Sequence, residues 1–428
     1  MSTTDFDAVD YFRAAFLYPN PYPYYEYLRK HGPVWREPHR GVVMVTGYPE
    51  AVSVYRDTER FSNCNAVAGP FAAWPVPLEG DDVSDVIERH RDGLAFSDQL
   101  PTFDPPKHTA HRGLLARLIT PKRLKENEEF MWRLADRQID EILDRGECDF
   151  VAEFANPFTS LVVADLLGVP EGDREEFRQE FRSRKRRDHH PAGGTEEGMV
   201  AHKPLEFLYE RFTRYVEERR RDPREDVMTG LATATFPDGS LPAVHEVALI
   251  AANLFTAGQE TTVRLLGAMF QRIGERPDLQ EVLRRERERI PSFVEETLRL
   301  ETPLQSTFRL SRVPVTIGDL PFPAGTTVML LPAAANRDPR EFPHPDEFRL
   351  DRPNGRQHLA FGHAVHSCAG APLARAEARV ATERLLDRMR DIRISEKAHG
   401  PAGARRYEYL RTYMIRGLEY LQLDFTPA

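Results

Sequence analysis

The chain has 428 residues, of which 41% are hydrophobic and 29% charged, and a formal net charge of -9. These values allow a sizeable core and argue against nucleic acid as the main partner. The three cysteines, Cys64, Cys148 and Cys368, are too few and too scattered for a disulfide framework, which favours a reducing cytoplasm.

We expect no signal peptide and no membrane anchor. The N-terminus lacks a basic and apolar leader, and the most apolar stretch, 247–257, is too short to span a bilayer.

The predicted elements are mostly helices, with a few short strands. Helices are indicated where apolar residues recur at three- and four-residue spacings, and strands where short apolar and β-branched runs lie between turn residues. In chain order these are a strand at 42–46, a helical patch near 82–92, helices at 122–144, 205–221, 244–270 and 278–300, strands at 313–317 and 327–331, and a helix at 373–390. The pattern therefore predicts a mainly α fold with small β-sheets.

Two irregular stretches interrupt this pattern. Residues 63–105 are rich in Pro, Gly and Asn, and residues 183–197 combine a basic run with Pro and Gly. Such segments are commonly solvated surface loops, but long loops in compact domains often line or cover a pocket. The sequence allows both interpretations.

The clearest chemical motif is FGHAVHSCAG at 361–370, which a helical pattern follows. A metal-binding thiolate is stabilised by the unpaired N–H groups at the start of a helix, and Cys368 lies just before one. Gly362 and Gly370 would let the backbone turn tightly. Ala364 would cost about 1 kcal/mol if its position requires a left-handed backbone.

Other interpretations of this segment are a structural metal site and a buried core thiol. His363, His366 and Cys368 could bind a metal, but their spacing lacks the paired CxxC or HxxxH pattern of zinc sites and offers no obvious fourth ligand. A cysteine standing alone would as readily be a core residue. The neighbouring residues of the motif favour the iron-binding thiolate.

A second motif, AGQETT at 257–262, lies in the long apolar helix. Gly258 permits a local break in the helical hydrogen bonds and the close approach of a ligand. Glu260 and Thr261 place an acid beside an alcohol. A solvent-facing turn of a core helix is the plainer interpretation of these residues.

Two charged patterns complete the set. Glu296 and Arg299 are three residues apart on one helix face, a spacing that also occurs elsewhere in the chain. His108 and Arg112 share a face of a helix that two prolines open, where they could pair with carboxylates. Taken singly, such cations are more typical of a solvated surface.

In order and spacing, these motifs resemble those of the cytochrome P450 family, in particular its soluble bacterial members, and the resemblance covers nearly the whole chain. It implies the mainly helical cytochrome P450 fold as a single domain over 1–428. It also implies haem b (iron protoporphyrin IX) as the cofactor, with its iron bound by the Cys368 thiolate. Thr261 would hydrogen-bond dioxygen, and Glu260 would belong to the proton-delivery network.

The resemblance assigns the remaining motif residues as well. Arg352 would join Glu296 and Arg299 in a buried structural cluster. Position 364 departs from the family pattern, in which a second glycine is usual; this bears on the fine geometry of the loop but not on the ligation. The haem and its two propionates would be contacted by His108, Arg112, Ala257, Gly258, Arg309, Phe361, His366 and Gly370.

The implied activity is that of a haem-thiolate monooxygenase, which transfers one atom of dioxygen to an apolar substrate by hydroxylation, dealkylation or epoxidation. Only about forty residues follow the cysteine helix, too few for a redox domain, so electrons would come from a separate ferredoxin and ferredoxin reductase. The substrate would lie against 63–105, the helix face at 253–257 and residues 304–308. A haem-thiolate peroxygenase or isomerase, and a non-catalytic haem-binding protein, are the alternatives.

An acidic ferredoxin would need a positive docking face on this acidic chain. The resemblance places two basic segments on the cysteine side of the haem. We therefore expect charge reversal at Arg117 and Arg123 to slow reduction at low ionic strength. The basic residues of these segments are Lys107, Arg112, Arg117, Lys122, Arg123, Lys125, Arg375 and Arg379.

Overall fold

The computed structural model describes residues 6–182 and 203–428. Within these ranges the α-helices are α1 (Tyr22–His31), α2 (Tyr48–Arg56), α3 (Ser84–His90), α4 (Lys107–Ala116), α5 (Pro121–Leu143), α6 (Asn156–Leu166), α7 (Arg174–Arg182), α8 (Lys203–Arg221), α9 (Val227–Ala232), α10 (Val244–Glu275), α11 (Pro277–Arg285), α12 (Ile290–Leu300), α13 (Pro332–Ala335), α14 (Ala371–Arg388) and α15 (Glu396–His399). The strands are β1 (Val34–Arg36), β2 (Val43–Val45), β3 (Phe61–Ser62), β4 (Glu147–Asp149), β5 (Thr307–Ser311), β6 (Val315–Ile317), β7 (Leu320–Phe322), β8 (Thr327–Leu330), β9 (Met389–Ile394) and β10 (Gln422–Pro427). No helix of this described part is long and apolar enough to cross a membrane.

Helix α10 is the centre of the fold. Its 32 residues run through the interior, because its apolar side chains point in most directions and are buried against neighbouring helices. It packs on α6, α8, α12 and α14. Since Cys368 lies three residues before α14, the contact between α10 and α14 holds the central helix close to the cysteine loop.

The strands form three small sheets in the described part of the chain. The largest has the order β1-β2-β8-β5-β3, in which β2 and β8 run parallel and the other pairs run antiparallel. Strand β5 pairs with β8 so that Arg309 lies opposite Val328, and this register fixes where the Arg309 backbone lies. Strands β4, β10 and β9 form a second sheet, and β6 and β7 a third.

Most predicted elements are confirmed to within a few residues. The helices predicted from periodicity correspond to α3, α5, α8, α10 and α14, and the predicted strands correspond to β2, β6 and β8. The mainly α fold with small sheets is therefore confirmed. The stretch 183–197 lies outside the described residues.

The prediction of one helix over 278–300 is wrong. This stretch forms α11 and α12, with a 3-10 turn at Arg287–Arg289 between them. The backbone leaves the helical region at Glu286, where φ is -122° and ψ is 70°. Pro291, in the first turn of α12, has no N–H to continue a helix from the preceding turn.

The long stretch predicted as a surface loop or pocket wall is tied to the body of the protein at both ends. The buried carboxylate of Asp104 accepts the backbone N–H of Asn63 at 2.7 Å. It also pairs with Arg91, just after α3, at 3.0 Å and with Arg312, just after β5, at 2.8 Å. One carboxylate thus joins the start, the middle and the end of this stretch to the sheet.

The predicted cluster of Glu296, Arg299 and Arg352 is confirmed. Glu296 is 1% exposed and accepts two hydrogen bonds of 2.8 Å from Arg299, together with contacts of 3.0 and 3.1 Å from Arg352. The two guanidinium groups also donate to backbone carbonyls between α13 and the cysteine loop, such as that of Glu347. The cluster therefore binds α12 to the segment that precedes the cysteine loop.

Candidate functional site

The cysteine segment forms a closed loop in front of α14. The N–H of Cys368 donates to the carbonyl of Phe361 at 2.7 Å, and a 3-10 turn at Ala364–His366 fills the space between them. Gly362 has a φ of +66°, which glycine adopts without strain. Of the three cysteines, Cys64 and Cys148 are buried, whereas Cys368 is exposed. The loop thus presents the sulfur of Cys368 to a ligand.

Opposing effects act on the thiol of Cys368. The surrounding protein removes water and raises its pKa, while the backbone N–H groups of Gly370 and Ala371 and the guanidinium of Arg112 lower it, with a net increase. A sulfur that is accessible and yet desolvated lies at the bottom of a concave surface. A cation bound there would favour the thiolate.

Ala364 has the strained backbone that the sequence suggested. Its φ is +57°, in the left-handed region that costs a residue with a β carbon about 1–2 kcal/mol. The N–H of Ser367 donates to the Ala364 carbonyl at 3.0 Å, so the loop holds this conformation in place. The alanine therefore adopts the backbone of the glycine that is usual here, at a cost in stability.

Two arginines and two histidines from separate elements meet beside this loop. The rings of His108, on α4, and His366 lie 3.9 Å apart, and Arg112 donates to the carbonyl of Ser367 at 2.6 Å. Arg309, on β5, is 3% exposed and lowers the pKa of His366 through its charge. The sequence motifs predicted these four side chains together, and the structure brings them together.

Two nitrogen atoms of this cluster are buried without a hydrogen-bond partner among the described residues. They are Nδ1 of His108 and Nε2 of His366. Burial and the neighbouring cations lower the pKa of His108 to about 4 and that of His366 to about 2. Buried ring nitrogens without partners, beside the positive charges of two arginines, are what an anionic ligand with two carboxylates would satisfy.

The middle of α10 has one face that is not packed. Asn253, Leu254 and Thr261 are partly exposed and Ala257 is exposed, whereas Phe255 and Gln259 in the same turns are buried. The spacings of three and four residues place them on the same side of the helix. This face borders accessible space and can form the wall of a binding cavity.

The acid–alcohol pair of α10 is held by contacts within the helix. The hydroxyl of Thr261 donates to the carbonyl of Ala257 at 2.7 Å. The carboxylate of Glu260 pairs with Arg264 at 2.6 Å, and Arg264 also donates to the carbonyl of Leu418. Glu260 is therefore ion-paired in this structure.

The expected break in α10 at Gly258 is not present, because the helix is continuous from Val244 to Glu275. A β carbon at Gly258 would lie 3.3 Å from Cγ2 of Val163 on α6, which explains the glycine by close helix packing. The next residue after the pair, Thr262, lies beside the carboxyl group of Glu377 on α14, and burial raises the pKa of that carboxyl group well above its ordinary value. This contact connects the motif to the helix that follows Cys368.

The interpretation as a structural metal site is wrong. Within residues 6–182 and 203–428, no group of three or more His, Cys, Asp or Glu side chains is arranged to hold a metal ion. His363 instead accepts a hydrogen bond of 3.2 Å from Arg56. It points to α2 rather than joining His366 and Cys368.

Part of the proposed positive docking face is also wrong. Arg123 is largely buried and pairs with Asp165 at 3.1 Å, so it anchors α5 to α6. Arg379 pairs with Glu128 and Arg375 with Glu295, which neutralises both. Of the basic residues predicted for this face, Lys107, Arg117, Lys122 and Lys125 are exposed.

Sequence reasoning missed Glu295, which is buried beside Glu296. Its carboxylate binds both Arg375 and His358, the two charged or polar side chains that flank the cysteine loop. A second acid next to Glu296 in an apolar helix was the available signal, since a carboxylate is rarely buried without a partner.

Comparisons with known proteins agree with this geometry. Residues 199–392 match the family model for Cytochrome P450. Cytochrome P450 144 of Mycobacterium tuberculosis is 32% identical over 414 residues, which cover 94% of this chain and 88% of that protein. The substrate-free structure of CYP150A6 from Mycobacterium marinum is 53% identical, with a TM-score of 0.92 over 99% of this chain and 100% of that one.

A further solved structure, CYP109E1 from Bacillus megaterium in complex with testosterone, is 27% identical. It covers 95% of this chain and 99% of its own, with a TM-score of 0.75. The helices, the small sheets and the cysteine loop described above are thus those of a known fold. This chain belongs to the cytochrome P450 family, the haem-thiolate monooxygenases that bind haem b and work with dioxygen and redox partners.

Proposed function

We propose that this protein transfers one atom of dioxygen to an apolar small molecule, by hydroxylation, dealkylation or epoxidation, with Cys368 as the iron ligand. When bound, the haem supplies the oxygen-activating chemistry. The observation that carries the proposal is the exposed Cys368 beside two arginines and two histidines that converge. Two of these, His108 and His366, have buried nitrogen atoms without partners in the described chain. The residues present therefore fit the haem and its propionates.

The chain positions the haem from several sides. His108, Arg112, Arg309 and His366 would bind the propionates, since the two arginines supply complementary charge and the two histidines supply ring nitrogens without partners in the described chain. Phe361 and Gly370 flank Cys368; a β carbon at Gly370 would lie 3.8 Å from its sulfur. On α10, the small side chain of Ala257, which is exposed, leaves room for a flat ring.

Thr261 and Glu260 would handle protons on the substrate side. The Thr261 hydroxyl, bound to the Ala257 carbonyl here, can rotate to donate to a ligand on the exposed face of α10. Glu260 can pass a proton only when its contact with Arg264 loosens, because that pair stabilises the charged carboxylate. We infer that this pair controls the coupling of electron consumption to product formation.

Thr261→Ala tests this role. The variant should retain haem and bind substrate, yet divert reducing equivalents from product to hydrogen peroxide. Thr256→Ala is the matched control, because Thr256 makes the same kind of bond, to the carbonyl of Ala252 at 3.1 Å. Equal coupling in the two variants would show that Thr261 has no special part in proton delivery.

The substrate is proposed to be apolar. Leu254 and Ala257 on the open face of α10 offer apolar contact, and Asn253 adds one polar group. The related CYP109E1 was solved with testosterone. A library of steroids, terpenoids, fatty acids and aromatic compounds, scored by the shift of the Soret band from low to high spin, tests the class. If only charged, hydrophilic compounds of the library caused the shift, the proposal of an apolar substrate would be contradicted.

The electron donor is proposed to be a ferredoxin with its reductase. Turnover with this system, but not with hydrogen peroxide alone, distinguishes a monooxygenase from a peroxygenase. The docking face is proposed to include Arg117 and Lys122, which are exposed. Reversing both charges should slow stopped-flow reduction at low ionic strength, whereas reversal of Arg137, exposed farther along α5, should not. Equal rates in both variants would refute this face.

A further inference from the structure

Glu295 lies at the centre of a charged network next to the cysteine loop. The residue is 4% exposed, and its two oxygen atoms accept Nε and Nη2 of Arg375 at 2.6 and 2.9 Å. One of them is also 3.2 Å from Nε2 of His358. Although burial opposes it, these hydrogen bonds lower the pKa of Glu295 to about 2, so the carboxylate stays charged. Helix α12 is thereby joined to α14 and to the segment before the loop.

Both partners of Glu295 act on the loop that carries Cys368. The guanidinium of Arg375 lies over the ring of Phe361 at 4.6 Å, and the carbonyl of Phe361 accepts the N–H of Cys368. At the other end, Nδ1 of His358 accepts the N–H of Ala360 at 3.2 Å. The carboxylate therefore fixes the segment that leads into the loop.

Arg375 also carries a positive charge close to Cys368, since it lies near the start of α14 and over the ring of Phe361. A cation beside a thiolate withdraws electron density from the sulfur and favours the ferrous state of the iron it binds. Glu295 opposes this field, because its two-point contact neutralises Arg375. Glu296, one residue on, does not take this part, since it binds Arg299 and Arg352 instead.

We propose that Glu295 is a positioning residue that keeps Cys368 a strong electron donor, by balancing the charge of Arg375 and holding Phe361 in place. The proposal rests on the proposed ligation of iron by Cys368. It assigns to Glu295 a control of the haem reduction potential that is separate from the structural role of Glu296.

The test is a spectroelectrochemical titration of the holoenzyme and its variants. Glu295→Gln keeps the shape of the side chain and removes the charge. The ratio of ferrous to ferric protein at a fixed potential should rise on the order of tenfold, because loss of a nearby buried negative charge favours the added electron at an effective dielectric constant of about 20. Tenfold corresponds to about 59 mV for a one-electron couple. Arg375→Gln should shift the ratio in the opposite direction.

Two further variants separate charge from structure. Glu295→Gln combined with Arg375→Gln should return close to the parent, because the pair is then neutral. Glu128→Gln is the matched control. It removes the negative charge that pairs with Arg379, which lies one turn farther along α14 than Arg375. Because Glu128 is more exposed, its effect on the ratio should stay within about twofold.

The spectrum of the reduced, CO-bound protein distinguishes the two proposals. A parent without the red-shifted Soret band would count against ligation by Cys368. If the band is intact in all variants, the haem reduction potentials decide. Equal potentials in Glu295→Gln and Glu128→Gln would overturn the proposed control of the potential by Glu295. If Glu295→Gln does not accumulate, Arg375→Gln decides, and an unchanged potential in that variant would refute the proposal.

Discussion

Replacement of Glu296 by alanine should be the most damaging single change outside the haem site. The carboxylate is buried with two guanidinium groups, those of Arg299 and Arg352, which are 0% and 9% exposed. Glu296→Ala removes the only acidic side chain that the structure shows bonded to either of them in the described chain. Both cations keep their carbonyl contacts but lose the opposite charge.

The magnitude follows from the burial. Breaking a buried ion pair by removing one partner costs about 3–5 kcal/mol, because an uncompensated charge remains in a desolvated place. A folded domain has a free energy of unfolding of about 5–15 kcal/mol, so this loss is a large fraction of the total. Since the cluster binds α12 to the segment before the cysteine loop, we expect the variant to lose haem as well as stability.

Urea unfolding followed by circular dichroism and by Soret absorbance measures both effects. Glu288→Ala is the matched control, because Glu288 is an exposed acid in the turn before α12. It should change the free energy of unfolding by less than about 0.5 kcal/mol. A Glu296→Ala protein with full haem content and a loss below about 1 kcal/mol would refute the reasoning.

Two further changes test the loop and the network beside it. Ala364→Gly should raise the free energy of unfolding by about 0.5–1 kcal/mol, since φ is +57° there, whereas Ala369→Gly in the same loop should lower it; a loss in both would contradict the strain. Glu295 has a pKa of about 2 against an ordinary value of 4.5, so its contribution is present above about pH 4.5 and is lost as the pH falls through about 2. The stability advantage of the parent over Glu295→Gln should therefore shrink as the pH falls from about 5 to about 3, and parallel curves would contradict this.

Structural features that depend on residues close together in the chain could be predicted from the sequence. The long helices follow from apolar periodicity, and the left-handed backbone at Ala364 was suggested by the glycine that is usual at that position. The cation cluster was proposed from spacing together with the family resemblance. The end of α11 was missed because the helical pattern continues across Glu286, although Pro291 was a signal.

Ion pairs and hydrogen bonds between residues far apart in the chain could not be predicted from the sequence. Arg123 looked like a surface cation, but its partner Asp165 is 42 residues away. Glu295 meets Arg375 across 80 residues and His358 across 63. Strands β3 and β7, of two and three residues, were missed because sheet pairing rather than local preference forms them. The single-domain organisation and the cytoplasmic location stay predictions.

The most direct test of the whole account is the absorption spectrum of the reduced, CO-bound protein. The parent should show the red-shifted Soret band that thiolate ligation gives, and Cys368→His should keep some haem and lose that band. Cys64→Ser and Cys148→Ser should retain it, because both side chains are buried away from the loop. Persistence of the band in Cys368→His, or its loss in either serine variant with haem still bound, would contradict ligation by Cys368.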